Sequence, residues 1–310
     1  MRNAFVQWLI DKAQADERVY LLTADLGYSV LEPFQQRFEN RFINVGVAEQ
    51  NMVGIAAGLA TEGLRPYTYS IGIFPTLRCA EQIRNDIDYH GLPVVTCTVG
   101  SGVAYGNLGY SHHAIQDLSL MRSLPNMVIA TPSDPSQVTM ILDWHYKNPC
   151  PMYLRLHKAG EPSLRLSKQP LQLGDLIQIY PDAENSHRTY ADKVCVLVVG
   201  FIADQVATLI SSLAPSVPLY CVPLWGQSSL KKFVEKVEQF EMVITVEDHI
   251  LEGGFGSYVM EAMSTSSKDI KVVPISFGSD IVGKVAQERT LLGSLLCRLE
   301  IELLRLASHL

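Results

Sequence analysis

The sequence predicts an α/β protein made of two doubly wound domains with mostly parallel sheets. Three observations carry this. Short β-branched runs alternate with longer helical patterns along the chain, the alternation breaks once between about 157 and 190 before resuming, and 310 residues leave room for two domains of ordinary size. Strand alternating with helix implies parallel pairing, because a parallel connection must cross back over the face of the sheet.

In chain order, VYLLT (19–23), FINV (42–45), YTYS (67–70), PVVTCTV (93–99), MVIATP (127–132) and PMYLRL (151–156) read as strands. AEQNMVGIAAGLATEG (48–63) and TLRCAEQIRNDIDYH (76–90) between them carry helical periodicity. The polar, Pro-containing stretch that follows reads as a linker with a possible hairpin at its centre. The second series is VCVLVVG (194–200), a helix through 202–213, PLYCV (218–222), a helix near 228–240, MVITVED (242–248), a helix after Gly254 and KVVPIS (271–276). An amphipathic helix closes the chain over 290–308, with leucines at 291, 292, 295, 296, 299, 303, 304 and 306. The expected division is 1–160 for the first domain, 161–190 for the linker and 191–310 for the second domain. In open parallel sheets ligands sit at the carboxyl ends of strands, so the loops after 19–23, 42–45, 67–70, 93–99 and 242–248 are where a site is sought.

Composition narrows the function. Hydrophobic residues make up 47% and charged residues 18%, which permits large buried cores and excludes wholesale disorder. No run approaches the roughly 20 apolar residues of a membrane span, and the opening MRNAFVQWLIDKAQ is too quickly charged for a signal peptide. A net charge of -7 offers no basic surface to nucleic acid. The cysteines at 79, 97, 150, 195, 221 and 297 form no CxxC pair and suit free thiols in a reducing cytosol, so a cytoplasmic location is expected.

Glu49 is the first candidate. It opens a helix directly after a strand and shares the apolar face of Met52, Val53 and Ala56. A carboxylate there either complements the helix dipole or serves a ligand. The whole string GVAEQNMVGIAAGLATEG resembles the matching segment of transketolases and 1-deoxyxylulose-5-phosphate synthases. That resemblance implies that Glu49 contacts the aminopyrimidine of thiamine diphosphate, favouring the tautomer in which the cofactor acts as its own base. The protein then supplies orientation and tuning, and the cofactor supplies the chemistry. In YSIGIFPTLRCAEQIRND (69–86) the family's stacking aromatic, placed before R-x-x-x-Q-I-R, corresponds to Phe74, though a Phe at a strand end is also ordinary core. TADLGYS (23–29) resembles the family's ADL turn, which makes Asp25 a cofactor-side candidate or simply a cap.

The loop GSGVAYGNLGYSHHAIQDLSLMRSLPNMVIATPSDP (100–135) resembles the family's substrate loop. His112 falls on the family histidine that lines the substrate channel; the alternative is a loop histidine bonded to backbone. His113 and Asn107 are further substrate candidates. Two departures stand out. The family's GEDG is Gly106-Asn107-Leu108-Gly109 here, so Leu108 occupies the position of an Asp, and Gly100 occupies that of a histidine found in ketose-specific members. Ordinary xylulose 5-phosphate chemistry is therefore in doubt, and a modified sugar or another donor is open. Arg155 in YLRLHK resembles an arginine that meets a substrate phosphate; a structural salt bridge is the alternative. VITVEDHILEGGFGSYVMEAM (243–263) resembles the family's second-domain VEEH…GGLGS segment, and no catalytic residue is assigned there.

The family's metal and diphosphate site begins with GDG, and no GDG occurs in the chain. The resemblance thus implies half a site. Mg²⁺ and the diphosphate belong to a separate N-terminal transketolase subunit, no metal ligand is assigned to this chain, and the expected assembly is α₂β₂. The expected activity is ketol transfer between sugars or sugar-like, phosphorylated or modified substrates. The alternatives are the E1β subunit of a 2-oxoacid dehydrogenase, which shares the two-domain plan, and a non-catalytic regulatory pseudo-subunit.

Overall fold

The structure, a computed structural model, describes residues 1–158, 160–164, 170–181 and 193–308. Among the described residues the strands in chain order are β1 (Val19–Thr23), β2 (Phe42–Asn44), β3 (Arg65–Ile71), β4 (Val95–Val99), β5 (Val128–Ala130), β6 (Met152–Leu156), β7 (Ile177–Tyr180), β8 (Val194–Val198), β9 (Leu219–Cys221), β10 (Leu224–Trp225), β11 (Met242–Ile250) and β12 (Lys271–Phe277). They form two sheets, ordered β10-β5-β6-β4-β3-β1-β2 and β12-β11-β8-β9-β7. Pairing is parallel except between β10 and β5 and between β7 and β9. This is the α/β, mostly parallel architecture that the alternation predicted.

The central strands β4 and β6 are buried at every residue, because helices cover both faces of the sheet and leave no solvent-facing register. On one face Phe5 and Trp8 of the first helix, Arg2–Ala15, pack on Tyr67 and Tyr69, and Trp8 Nε1 donates to Asp143 Oδ1 at 2.9 Å. On the other face the helix Glu49–Thr61 buries Met52, Val53, Ala56, Ala57 and Ala60. Both apolar clusters continue onto the second sheet and its helices, one through Val196, Ile244 and Leu299, the other through Phe233, Phe255 and Val259.

Three details depart from the expected element list. Within the expected linker, residues 165–169 and 182–190 lie outside the described residues, and so does part of the expected hairpin. The described residues Ile177–Tyr180 form an edge strand on β9. β10 was not foreseen: two residues that follow β9 turn back and pair antiparallel with β5 of the other sheet, and Trp225 Nε1 donates to Thr131 Oγ1 at 3.0 Å. A two-residue strand has no periodicity to read. The segment 76–90 is not one helix. It runs Ile73–Arg78, breaks at Cys79 and continues through Ala80–Gln82 into a π-helical turn at Ile83–Asp88. Thr76 Oγ1 bonds back to the carbonyls of Gly72 and Ile73, the side-chain competition that bends helices.

Candidate active site at the carboxyl ends of the first sheet

Glu49, Phe74 and His112 come from three different strand-end loops, after β2, β3 and β4, and the fold brings them together. Gly46 with φ 70° turns the chain after β2, and Ala48 with φ -143° precedes the helix that Glu49 opens. The Glu49 carboxylate is 2% exposed, and Arg78 Nη1 donates to its Oε2 at 2.6 Å. The Arg78 guanidinium lies 5.1 Å from the centre of the Phe74 ring, and His112 stands edge-on to the same ring at 5.2 Å. The His112 Nδ1 is 3.0 Å from Ser111 Oγ. Tyr105 continues the row 6.3 Å beyond His112, and the Lys158 ammonium sits over the Tyr105 ring at 4.3 Å. The result is one line of contacts, Glu49–Arg78–Phe74–His112–Tyr105–Lys158.

Tyr105 answers the question raised by Gly100. Gly100 has φ 88°, and a Cβ added there would meet Tyr105 Cε2 at 2.1 Å. The space of a side chain at position 100 is therefore filled by the Tyr105 ring. Half-burial pushes the Tyr105 phenol up from its ordinary pKa, so it stays protonated at neutral pH. Among the described residues no carboxylate pairs with Lys158. Tyr105 and Lys158 were not singled out from the sequence. The motif directed attention to missing side chains and not to the neighbour that takes their place.

The other candidates are placed as follows. Asp25, at φ 55°, lies after β1, where its backbone N–H donates to Asn44 Oδ1 at 3.0 Å and its carboxylate accepts from the Tyr28 hydroxyl at 2.8 Å. Asn44 Oδ1 also accepts from Gly46 N at 3.0 Å, so this pair ties the β1 loop to the turn that precedes Glu49. Asn107 is exposed on a 3₁₀ turn, Gly106–Leu108, and Leu108 beside it is 55% exposed. His113 faces inward, fully buried, with neither ring nitrogen hydrogen-bonded among the described residues. Burial holds its pKa below the ordinary histidine value.

Arg155 stands apart from the row. Its guanidinium is engaged beneath the loop and does not face the row. Nε donates to Asp117 Oδ2 at 2.7 Å, Nη1 to Asp248 Oδ1 at 2.5 Å and Nη2 to the Ala114 carbonyl at 2.8 Å. All three side chains are essentially buried. These bonds make the structural ion pair that is the alternative to a phosphate contact. Tyr153 adds its hydroxyl to Asp117 Oδ2 at 2.6 Å. His249 lies 3.6 Å from Asp117, and its burial holds it neutral, with a pKa lowered to about 4.

Among the described residues no group of three or more His, Cys, Asp and Glu side chains is arranged to hold a metal ion, and no helix is long and apolar enough to cross a membrane.

A near-buried carboxylate, an aromatic ring and a loop histidine thus stand together at the carboxyl ends of parallel strands in an α/β protein. The family profile of the transketolase pyrimidine-binding domain matches residues 1–161, and the chain belongs to the transketolase family. Membership implies thiamine diphosphate dependence at the level of the family. The chain is 28% identical over 290 residues to the 1-deoxy-D-xylulose-5-phosphate synthase of Clostridium kluyveri, covering 90% of this chain but 44% of that protein. It therefore spans less than half the length of that relative. It is also 28% identical over 284 residues to an apulose-4-phosphate transketolase subunit of Phocaeicola vulgatus, covering 88% of this chain and 86% of that one. Among solved structures, a split-gene transketolase described as an inactive β4 tetramer superposes with a TM-score of 0.79 at 28% identity, covering 99% of this chain and 97% of the other.

Proposed function

We propose that this chain is the pyrimidine-side subunit of a two-chain transketolase that moves a two-carbon ketol unit between sugar-like, phosphorylated or modified substrates. The observation that carries the reading is the continuous row from Glu49 to Lys158, assembled from successive strand-end loops. Thiamine diphosphate, when bound, would supply the carbanion chemistry. Glu49 fits its aminopyrimidine: the carboxylate is nearly buried beside an aromatic face, and its partner among the described residues, Arg78, is half exposed and free to yield. Phe74 offers that face for stacking, and Asp25 steadies the Asn44 turn that leads into Glu49. His112, edge-on to Phe74, is placed to exchange protons with a substrate hydroxyl or carbonyl. Asn107 lines the same loop, and His113 supports it from within.

Beyond His112, Lys158 offers a cation to an anionic substrate end. Tyr105 in the space above Gly100, with Leu108 where the family has an acid, supports a donor other than xylulose 5-phosphate. The likeness to a subunit named for apulose 4-phosphate adds that sugar to the candidates.

Five exposed apolar side chains, Tyr28, Val47, Leu77, Leu108 and Tyr110, stand on the same strand-end loops at 48–76% exposure. An apolar rim around a polar row supports coverage by another chain. We assign that place to an N-terminal subunit holding the diphosphate and Mg²⁺ in an α₂β₂ assembly. The likeness to a chain described as an inactive tetramer agrees with a subunit that needs its partner.

The test is ketol transfer by the two-chain complex, with apulose 4-phosphate and xylulose 5-phosphate as probes. Glu49→Gln is expected to lower kcat by about 100-fold or more. Unchanged turnover in that variant would remove Glu49 from the chemistry.

A further inference from the structure

The loop that carries Tyr105, Asn107, His112 and His113 is closed at its base by a two-residue antiparallel bridge. Gly102 N donates to the Ala114 carbonyl at 3.1 Å, and Ala114 N returns a bond to the Gly102 carbonyl at 2.8 Å. Both sides of this neck rest on the second sheet. On the Ala114 side, Arg155 Nη2 holds the same carbonyl while its Nη1 is bonded to Asp248 of β11. On the Gly102 side, a Cβ would meet Asp248 Oδ2 at 2.3 Å, so the carboxylate lies directly against the glycine backbone. That Oδ2 has no hydrogen-bond partner among the described residues, and Asp248 is fully buried.

Two more contacts follow the same direction. Ile250 N, two residues along β11, donates to the Ile115 carbonyl at 3.3 Å. Ala286 N donates to the Gly106 carbonyl at 3.3 Å, and no side chain fits at Gly106 because a Cβ would meet the Ala286 carbonyl at 2.4 Å. The second domain thus touches the loop at its neck, just beyond it and near its tip.

We propose that Asp248 is a positioning residue for the substrate loop: through Arg155 and Gly102 it fixes the neck of residues 103–113 and with it the place of His112. This deepens the proposed function, on whose reading of His112 it rests. The second domain then sets the geometry of the site without presenting a side chain to substrate. The carboxylate is suited to the task because one oxygen takes a charged bond from Arg155 while the other fills the only space a glycine leaves.

Amide hydrogen exchange on the full chain tests the clamp without any substrate. In Asp248→Asn, which keeps the size of the side chain, amides of 103–113 are expected to exchange about tenfold faster, while those of β4 and β6 keep wild-type protection. Gly102→Ala is expected to loosen the same peptide, and combining it with Asp248→Ala is expected to cost less protection than the two single effects together. In the two-chain enzyme Asp248→Asn then lowers kcat more than it raises KM, since His112 is displaced and no substrate contact is removed. Unchanged exchange of 103–113 in both single variants, with loss of protection confined to β11, would overturn the clamp. Wild-type complex inactive toward every ketose donor would instead count against the proposed function and leave the exchange result standing.

Discussion

Arg78 donates to Glu49 across 2.6 Å while its own side chain is 48% exposed and rests on the Phe74 ring. One cation therefore covers both groups proposed to meet the aminopyrimidine. An ion pair with one member so exposed contributes little to folding, at most about 1 kcal/mol. Arg78→Ala is expected to leave the unfolding midpoint nearly unchanged while altering cofactor affinity in the two-chain complex. A large loss of stability with unaltered affinity would show that the pair is structural.

Lys158 is expected to read the charged end of the substrate. Removing one charge-assisted bond costs about 1.5–3 kcal/mol, roughly tenfold or more in KM. Lys158→Ala should raise KM for phosphorylated donors and leave an uncharged donor, such as an unphosphorylated ketose, little affected. An equal effect on both classes contradicts the assignment.

Arg155 sits between two buried carboxylates, so Arg155→Met leaves Asp117 and Asp248 facing each other without compensation. Breaking such a network from one side costs about 3–5 kcal/mol. Urea unfolding of the variant should show that loss; a midpoint close to wild type would mean that the carboxylates find other partners or protonate at little cost.

His157 gives a pH dependence. Burial opposes its charged form, but bonds to Glu161 Oε1 at 3.2 Å and Glu288 Oε1 at 2.8 Å prevail and hold its pKa above the ordinary histidine value. A raised folded-state pKa means that the folded chain binds the proton more tightly than the unfolded chain. The stabilisation is complete below the ordinary value of about 6.5 and is lost as pH rises through the raised value. The stability difference between wild type and His157→Gln is therefore expected to shrink as pH rises above about 6.5. A difference that grows with pH would reverse the sign of the account.

Much of the fold could be read from the sequence because buried parallel strands are near-continuous apolar runs. β1 was located to the residue, and β4, β6 and β8 to within two residues, whereas β10, with two residues and an antiparallel pairing across the two units, carried no pattern. Glu49, Phe74 and His112, each singled out from a local string, lie in one neighbourhood, joined through Arg78. The site was not legible where long-range packing decides. Nothing near YLRLHK says that Arg155 points inward to Asp248, 93 positions later. Likewise nothing near Gly100 says that Tyr105 folds back over it.

The central claim is that this chain carries half of a cofactor site. Calorimetry of thiamine diphosphate with Mg²⁺, first with this chain alone and then with its N-terminal partner added, tests it most directly. Binding only in the mixture, abolished there by Glu49→Ala, is the predicted result. Tight metal-dependent binding to this chain alone would contradict the account.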